Sequence, residues 1–421
     1  MRLEVPYGGG VQTFEVPDGN LGEIIYPKDV HTPNKASLIL QAIGKPFNSR
    51  PLKEFLEGGK EILVIVNDAT RPTPSGKIIG VLDPFLKGRN VKYLIATGMH
   101  RAPTEEEYRF IFGDLLERIR PNVFAHDSKN SQMFTLGTSK NGTVLKVNKM
   151  VEDADRIIVI SSVEPHYFAG YTGGRKSFLP GVSAYETIEQ NHKLALSFHA
   201  QSLRLEGNPV NEDMEDAMQA LKDKQVFSIM VVLNKHHGTC ACFAGDLRES
   251  FRRATKKADD VFVVKIKEQY DIVVAVTAFP YDIDLYQSQK ALDNAKFAVK
   301  DGGIIILVSA CRDGIGPPNF LNLLGSAATP TQVFEKIAEG YKLGYHKAAK
   351  MAEIGMRCKM MAVTGLPPEI SRKAHLAPAS SLQEAVDSAL KELGSGAKVT
   401  FIMDAVITVP RVLGAQRFPK D

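Results

Sequence analysis

Residues 62–86 read ILVIVNDATRPTPSGKIIGVLDPFL. Five consecutive apolar residues, Ile62–Val66, run into the polar turn Asn67-Asp68-Ala69-Thr70-Arg71-Pro72, and Ser75–Leu86 follows with helical spacing. A short apolar run bounded by turn residues predicts a strand buried on both faces, and the run behind it predicts the helix that covers one face. The same unit recurs along the chain. Apolar runs at Tyr93–Ala96, Ile157–Ile160, Ile229–Leu233, Ile272–Val276, Ile304–Val308 and Val399–Met403 alternate with helical patterns at Thr104–Phe112, Asn211–Leu221, Leu285–Val299 and Thr331–Ala352. Such alternation predicts an α/β fold with mainly parallel sheets. The 421 residues are long for one core, so two α/β domains are expected, residues 1–265 and 266–421, joined through the charge-rich stretch Phe251–Tyr270, with an active site in the cleft between them.

The 52 basic and 48 acidic side chains leave a formal charge of +4, too small to point to nucleic acid or a membrane surface. The expected partner is a small molecule. Cys240 and Cys242 form a lone C-x-C pair, and Cys311 and Cys358 stand apart, so neither a disulfide framework nor a CxxC zinc site is indicated. That usage fits a reducing compartment. Residues 1–10 lack the apolar core of a signal peptide and no apolar run reaches bilayer length, so a cytoplasmic protein is expected.

Polar residues collect just after the apolar runs. Asp68 and Arg71 follow the first, His100 follows Tyr93–Ala96 in Thr97-Gly98-Met99-His100-Arg101, and Glu164-Pro165-His166 follows Ile157–Ile160. Later, Ile272–Val276 leads to Phe279-Pro280-Tyr281-Asp282 and Tyr286-Gln287-Ser288-Gln289-Lys290. Ligands of open α/β sheets bind beyond the carboxyl ends of strands, so these clusters mark the expected site. Thr104-x-x-Glu107 reads as a capping box and belongs to structure, while Thr73 or Ser75 is expected to cap the helix after Pro74. On a helix, Tyr286, Gln287 and Lys290 share one face and form a carboxylate clamp, or else an ordinary solvated face.

The richest stretch is residues 164–192, EPHYFAGYTGGRKSFLPGVSAYETIEQNH. Gly170, Gly173 and Gly174 allow close backbone approach to a phosphate, with Lys176 at the loop's end, although an ordinary surface turn has the same composition. It is not a P-loop in spacing. Counting from Gly170, the second required glycine falls on Arg175. His100, His166 and His192 are candidate acid/base groups or metal ligands. Each alone reads as structural, and their joint placement carries the functional reading. No H-E-x-x-H occurs.

Taken together, NDATRPTP, ATGMHRAPTEEE, EPHYFAGYTGGRKSFLPG followed by NH, and LYQSQK resemble the lactate racemase family, whose members use a nickel-pincer nucleotide. The resemblance implies an isomerase, a racemase or epimerase of a 2-hydroxy acid that works by hydride transfer through a 2-keto acid. Lys176 would tether the cofactor covalently and His192 would bind the nickel, both in the N-terminal domain. His100 and His166 would be the acid/base pair, with Arg71 near the substrate hydroxyl and Asp68 near the cofactor. Gly170, Gly173 and Gly174 would lie against the cofactor; from the C-terminal domain, Tyr286 and Lys290 would hold the substrate and Gln287 the cofactor. Cofactor biosynthesis proteins would load it. Lactate-acting members carry a Trp in the C-terminal half, whereas this chain has none and offers Gly344-Tyr345-His346-Lys347 instead. That departure opens longer or more polar hydroxy acids, such as malate, a hydroxyglutarate or a sugar acid, and Arg175 is a candidate contact to a second anionic group. The alternatives are a nucleotide-dependent kinase or hydrolase, or a non-catalytic nucleotide- or anion-binding protein on the same scaffold.

Overall fold

The computed structural model describes residues 1–32, 35–279 and 281–414, so Pro280 of the Phe279–Asp282 cluster lies outside the described residues. The chain forms two units, one of residues 29–261 and one in which Met1–Lys28 joins the residues from Phe262 onward. The division lies between Val261 and Phe262, and the first 28 residues belong with the C-terminal unit. The reason is a strand, Leu21–Ile25, which pairs in parallel with Val399–Ile402.

In the unit of residues 29–261, six strands stand in the order Thr239–Gly245, Val226–Leu233, Arg156–Ser162, Glu61–Asn67, Asn90–Ala96, Val123–Ala125. All neighbours are parallel except the first pair. Val64 lies opposite Ile158 on one side and Tyr93 on the other. Ile62, Val64 and Val66 pack with Ile78, Ile79 and Leu82 of helix Ser75–Leu86, and the alternate residues Leu63 and Ile65 are equally buried. Both faces are thus covered, as the unbroken apolar run requires.

The other unit holds an all-parallel six-stranded sheet in the order Ala377–Pro378, Lys359–Thr364, Val299–Ser309, Tyr270–Val276, Val399–Ile402, Leu21–Ile25. An antiparallel hairpin, Arg2–Tyr7 with Gly10–Glu15, contributes Val5 and Phe14 to its core.

Two helical readings are corrected, and the charge-rich connector is itself part helix. The first part of the expected connector Phe251–Tyr270 lies in helix Leu247–Phe262, whose apolar positions Phe251, Ala254, Ala258 and Val261 are buried while the intervening charges face outward, and Val263–Ile266 is a strand. The pattern over 331–352 is two helices, Pro330–Glu339 and Tyr345–Gly355, parted by Gly340 and by Gly344 at φ +102°. Helix Leu285–Ala295 stops short because Val299 already begins a strand. Among the described residues no helix is long and apolar enough to cross a membrane.

Candidate functional site

Strands Arg156–Ser162, Glu61–Asn67 and Asn90–Ala96 are neighbours in one parallel sheet, so their carboxyl ends and the loops beyond them lie side by side. This brings Asp68, Arg71, His100, Glu164 and His166 to one edge. Asn67 and Thr73 tie the edge together: the Thr73 hydroxyl donates to Asn67 Oδ1 at 2.8 Å, and its oxygen lies 3.0 Å from Ser162 Oγ, from which it can accept. Thr73 is therefore not the helix cap, and neither is Ser75; the cap position is Pro74, with no side-chain hydrogen bond. The Thr104–Glu107 capping box forms as expected.

Asp68 is buried and its Oδ2 lies 2.6 Å from His100 Nδ1, while Oδ1 accepts from the Thr70 hydroxyl at 2.6 Å. Burial alone would raise its pKa. The charge and hydrogen bond of His100, the Thr70 hydroxyl and the charge of Arg71 outweigh it, and the carboxyl is held below its ordinary range. An ionised carboxylate only accepts, so Nδ1 of His100 carries a proton, and Nε2 is the nitrogen left to exchange one.

His166 is placed differently. It pairs with Gly170 across a short antiparallel ladder, Pro165–His166 with Gly170–Tyr171. Its Nδ1 accepts from the Ala169 amide at 3.3 Å, which leaves the ring proton on Nε2. The two histidines thus differ in what Nδ1 does, donating to a carboxylate in His100 and accepting a backbone amide in His166.

The Phe168 ring joins the remaining candidates. His166 lies edge-on to it at 4.6 Å, His192 at 5.0 Å, and the Lys176 ammonium nitrogen sits 5.5 Å from its centroid. Sequence reading had no signal for Phe168 beyond its place in a His-Tyr-Phe triplet. His192 stands in the last turn of helix Tyr185–Lys193, and its neighbour Asn191 anchors that turn by donating to the Val210 carbonyl at 3.1 Å and to Asp213 at 3.5 Å. Burial, then the positive charges of Arg71 and Arg175, push the Lys176 pKa well below the ordinary lysine value against the pull of Glu164. Glu164 in turn meets Arg71 Nε at 3.3 Å.

The glycines are explained by packing. A Cβ on Gly170 would lie 2.3 Å from the Arg204 carbonyl oxygen, one on Gly173 2.7 Å from that of Ser162, and one on Gly174 2.9 Å from the Phe251 ring; all three have positive φ. The segment Gly174–Ser177 is a single 3-10 turn, without the long helix that a P-loop places behind its glycines.

Arg175 is corrected as a substrate contact. It is 1 % exposed, donates to Asn211 Oδ1 and at 2.8 Å to the Ala169 carbonyl, and stacks 4.2 Å from the Phe251 centroid. Burial pushes its pKa down to about 10 despite Glu215 and Tyr171. Arg175→Ala strips these buried groups of their partner, so a loss of about 3 kcal/mol is expected. Thermal melting should show it, and the substrate preference should not move.

In the other unit, helix Leu285–Ala295 is capped by Asp284, whose Oδ1 accepts from the Gln287 amide at 2.7 Å. Lys290 Nζ donates to Gln287 Oε1 at 2.6 Å, so the expected grouping of these two side chains forms. Tyr286 packs edge-on to Phe320 at 5.6 Å, and Lys347 Nζ lies 3.5 Å from its ring centroid. Burial, aided by Asp284, pushes the Tyr286 phenol up beyond any physiological pH, so it remains a neutral O–H.

The lactate racemase N-terminal domain family matches residues 7–203, and the lactate racemase C-terminal domain family matches residues 265–409. The chain is 31 % identical to lactate racemase of Thermoanaerobacterium thermosaccharolyticum over 97 % of its own length and 99 % of that protein's. It is 29 % identical to lactate racemase of Lactiplantibacillus plantarum over 96 % and 99 %. The solved lactate racemase apoprotein of T. thermosaccharolyticum superposes with a TM-score of 0.91 at 31 % identity, covering 98 % of this chain and 100 % of that one. A Thermotoga maritima protein shares the fold at 18 % identity, with a TM-score of 0.70 over 91 % of this chain and 100 % of its own.

Proposed function

The chain belongs to the lactate racemase family and is an isomerase, and on that premise we propose that it racemises or epimerises a 2-hydroxy acid by removing and returning a hydride through a 2-keto acid. The observation that supports this reading most is the gathering of Lys176, His166 and His192 around the Phe168 ring.

Those residues fit a nickel-pincer nucleotide. An amine whose charged form is disfavoured by burial and two arginines is a nucleophile suited to a covalent tether. Among the described residues no three His, Cys, Asp or Glu gather to hold a metal ion, and a metal bound through one imidazole requires a cofactor that brings its own donors. Lys176 would tether the group, His192 would contribute the protein ligand, and Asp68, Gln287 and the Gly170–Gly174 loop would adjoin it. When bound, the group supplies an electrophilic pyridinium carbon and a metal for hydride chemistry.

The chain's own residues then do the rest. Lys290 and Tyr286 hold the substrate carboxylate through an ammonium and a neutral phenol. Arg71, oriented by Glu164, lies near the hydroxyl. His100 Nε2, basic because Asp68 holds the proton on Nδ1, takes the hydroxyl proton from one enantiomer. His166, on the opposite side of the substrate, handles the proton for the other. Loading would depend on cofactor biosynthesis proteins in the cytoplasm, and Cys240, Cys242, Cys311 and Cys358 are all free thiols, which suits a reducing compartment.

Single enantiomers of 2-hydroxy acids incubated with nickel-loaded protein in heavy water test the reading. Inversion is expected with the C2 hydrogen retained, because a hydride never exchanges with solvent. Deuterium at C2 of the inverted product would mean proton abstraction and would overturn the hydride route.

A further inference from the structure

Lys347 enters the clamp from a second helix. Its Nζ sits over the Tyr286 ring and donates to the Tyr286 backbone carbonyl, and the side chain is only 4 % exposed. The contact is held by a buried seam between helices Leu285–Ala295 and Tyr345–Gly355. Lys296 meets Asp293 at 3.4 Å and Glu353 at 3.3 Å, Lys350 meets Glu353 at 3.1 Å, and the Gln289 amide donates to Asp293. Lys350 is three residues after Lys347, on the same helix face. A buried ionic seam of this kind adds little net stability, since each charge is desolvated, but removing one member leaves the others uncompensated. It fixes the register of the two helices and with it the place of Lys347.

Two ammonium groups therefore flank Tyr286: Lys347 at its ring, and Lys290 one helical turn further along, about 6 Å of rise. The nearby Asp284 caps the clamp helix through Gln287. We propose that Lys347 is a specificity-determining residue and that the substrate is a 2-hydroxy dicarboxylate, its C1 carboxylate on Lys290 and Tyr286 and its distal carboxylate on Lys347. This rests on the 2-hydroxy acid reading above. The physical ground is hydrogen bonding. A methyl group placed against an ammonium forms no hydrogen bond with it, whereas a second carboxylate forms a charge-assisted one, and sites built for a polar group discriminate steeply against analogues that lack it.

The test compares malate, a four-carbon 2-hydroxy dicarboxylate, with lactate on nickel-loaded protein, and titrates both calorimetrically. Wild type is expected to favour malate in kcat/KM by roughly 10²-fold. Lys347→Met should lower the malate-to-lactate ratio at least about tenfold, mainly through the malate KM, and weaken malate binding, while Lys347→Arg keeps the preference for the dicarboxylate. A wild-type preference for lactate, or an unchanged ratio in a Lys347→Met variant that melts normally, overturns the assignment. Loaded protein that inverts no 2-hydroxy acid overturns the underlying reading instead; the calorimetric comparison of wild type with Lys347→Met then decides the role of Lys347 by itself.

Discussion

Lys176→Ala produced alongside the cofactor-building proteins should have the mass of its bare sequence, contain no nickel and show no racemisation, whereas wild type should carry a nucleotide-sized adduct and about one nickel. The argument starts from the amine. Burial and the charges of Arg71 and Arg175 disfavour the ammonium, so the side chain is available as a neutral nucleophile. Lys176→Arg retains a cation at the position and should fail in the same way, which separates a covalent role from an electrostatic one. The same shift has a consequence for stability. Between the lowered value and the ordinary 10.5, the unfolded chain holds a proton that the folded chain does not, so unfactored stability rises with pH across that window. Lys176→Met should remove this slope from the apoprotein's denaturation curves. An adduct of unchanged mass in Lys176→Ala would refute the tether.

His100→Ala and His166→Ala should each lower racemisation by about 10²- to 10⁴-fold, the usual range for a positioned acid or base, with the nickel content and adduct intact. Intact loading is the discriminating readout, since Phe168 touches His166, His192 and Lys176 and a collapse of that cluster would lower loading too. Asp68→Asn is expected to act through His100. It replaces a carboxylate that accepts the Nδ1 proton at 2.6 Å with an amide able to present a donor, which favours the wrong tautomer. Because the Asp68 carboxyl is held below its ordinary range, this contact persists above that lowered value and is lost only as pH falls through it. Stopped-time assays from each enantiomer separately, with nickel analysis on the same samples, check all three variants. Full activity in either histidine variant would remove that residue from the proton chemistry.

Much of the sheet was legible because its strands are buried on both faces and so read as continuous apolar runs: Ile62–Val66 falls inside Glu61–Asn67, and Ile157–Ile160 inside Arg156–Ser162. Thr239–Gly245 was missed, as its sequence TCACFAG mixes small and polar residues at a sheet edge where no strong pattern is needed. Leu247–Phe262 hid its helix behind charges, though Phe251, Ala254, Ala258 and Val261 carry the period. At the site, the residues that follow strand ends could be located, because strand ends and turns are local. The convergence on Phe168 and the reach of Lys347 to Tyr286 depend on long-range packing, which no local spacing encodes. The fate of Arg175 shows the same limit: a charged residue in a glycine loop reads as exposed, and only the fold reveals Asn211 and Phe251 waiting to enclose it.

The strand Leu21–Ile25 pairs with Val399–Ile402, which is synthesised only after the whole of residues 29–261. In assembly terms, residues 29–261 are an insertion within the other unit, which draws on chain from both sides of them. The inserted unit has all its strands in hand early and can form while synthesis continues, as domains commonly do. The early strand has to remain unpaired until its late partner emerges, a closure of high contact order that belongs among the slow events of folding.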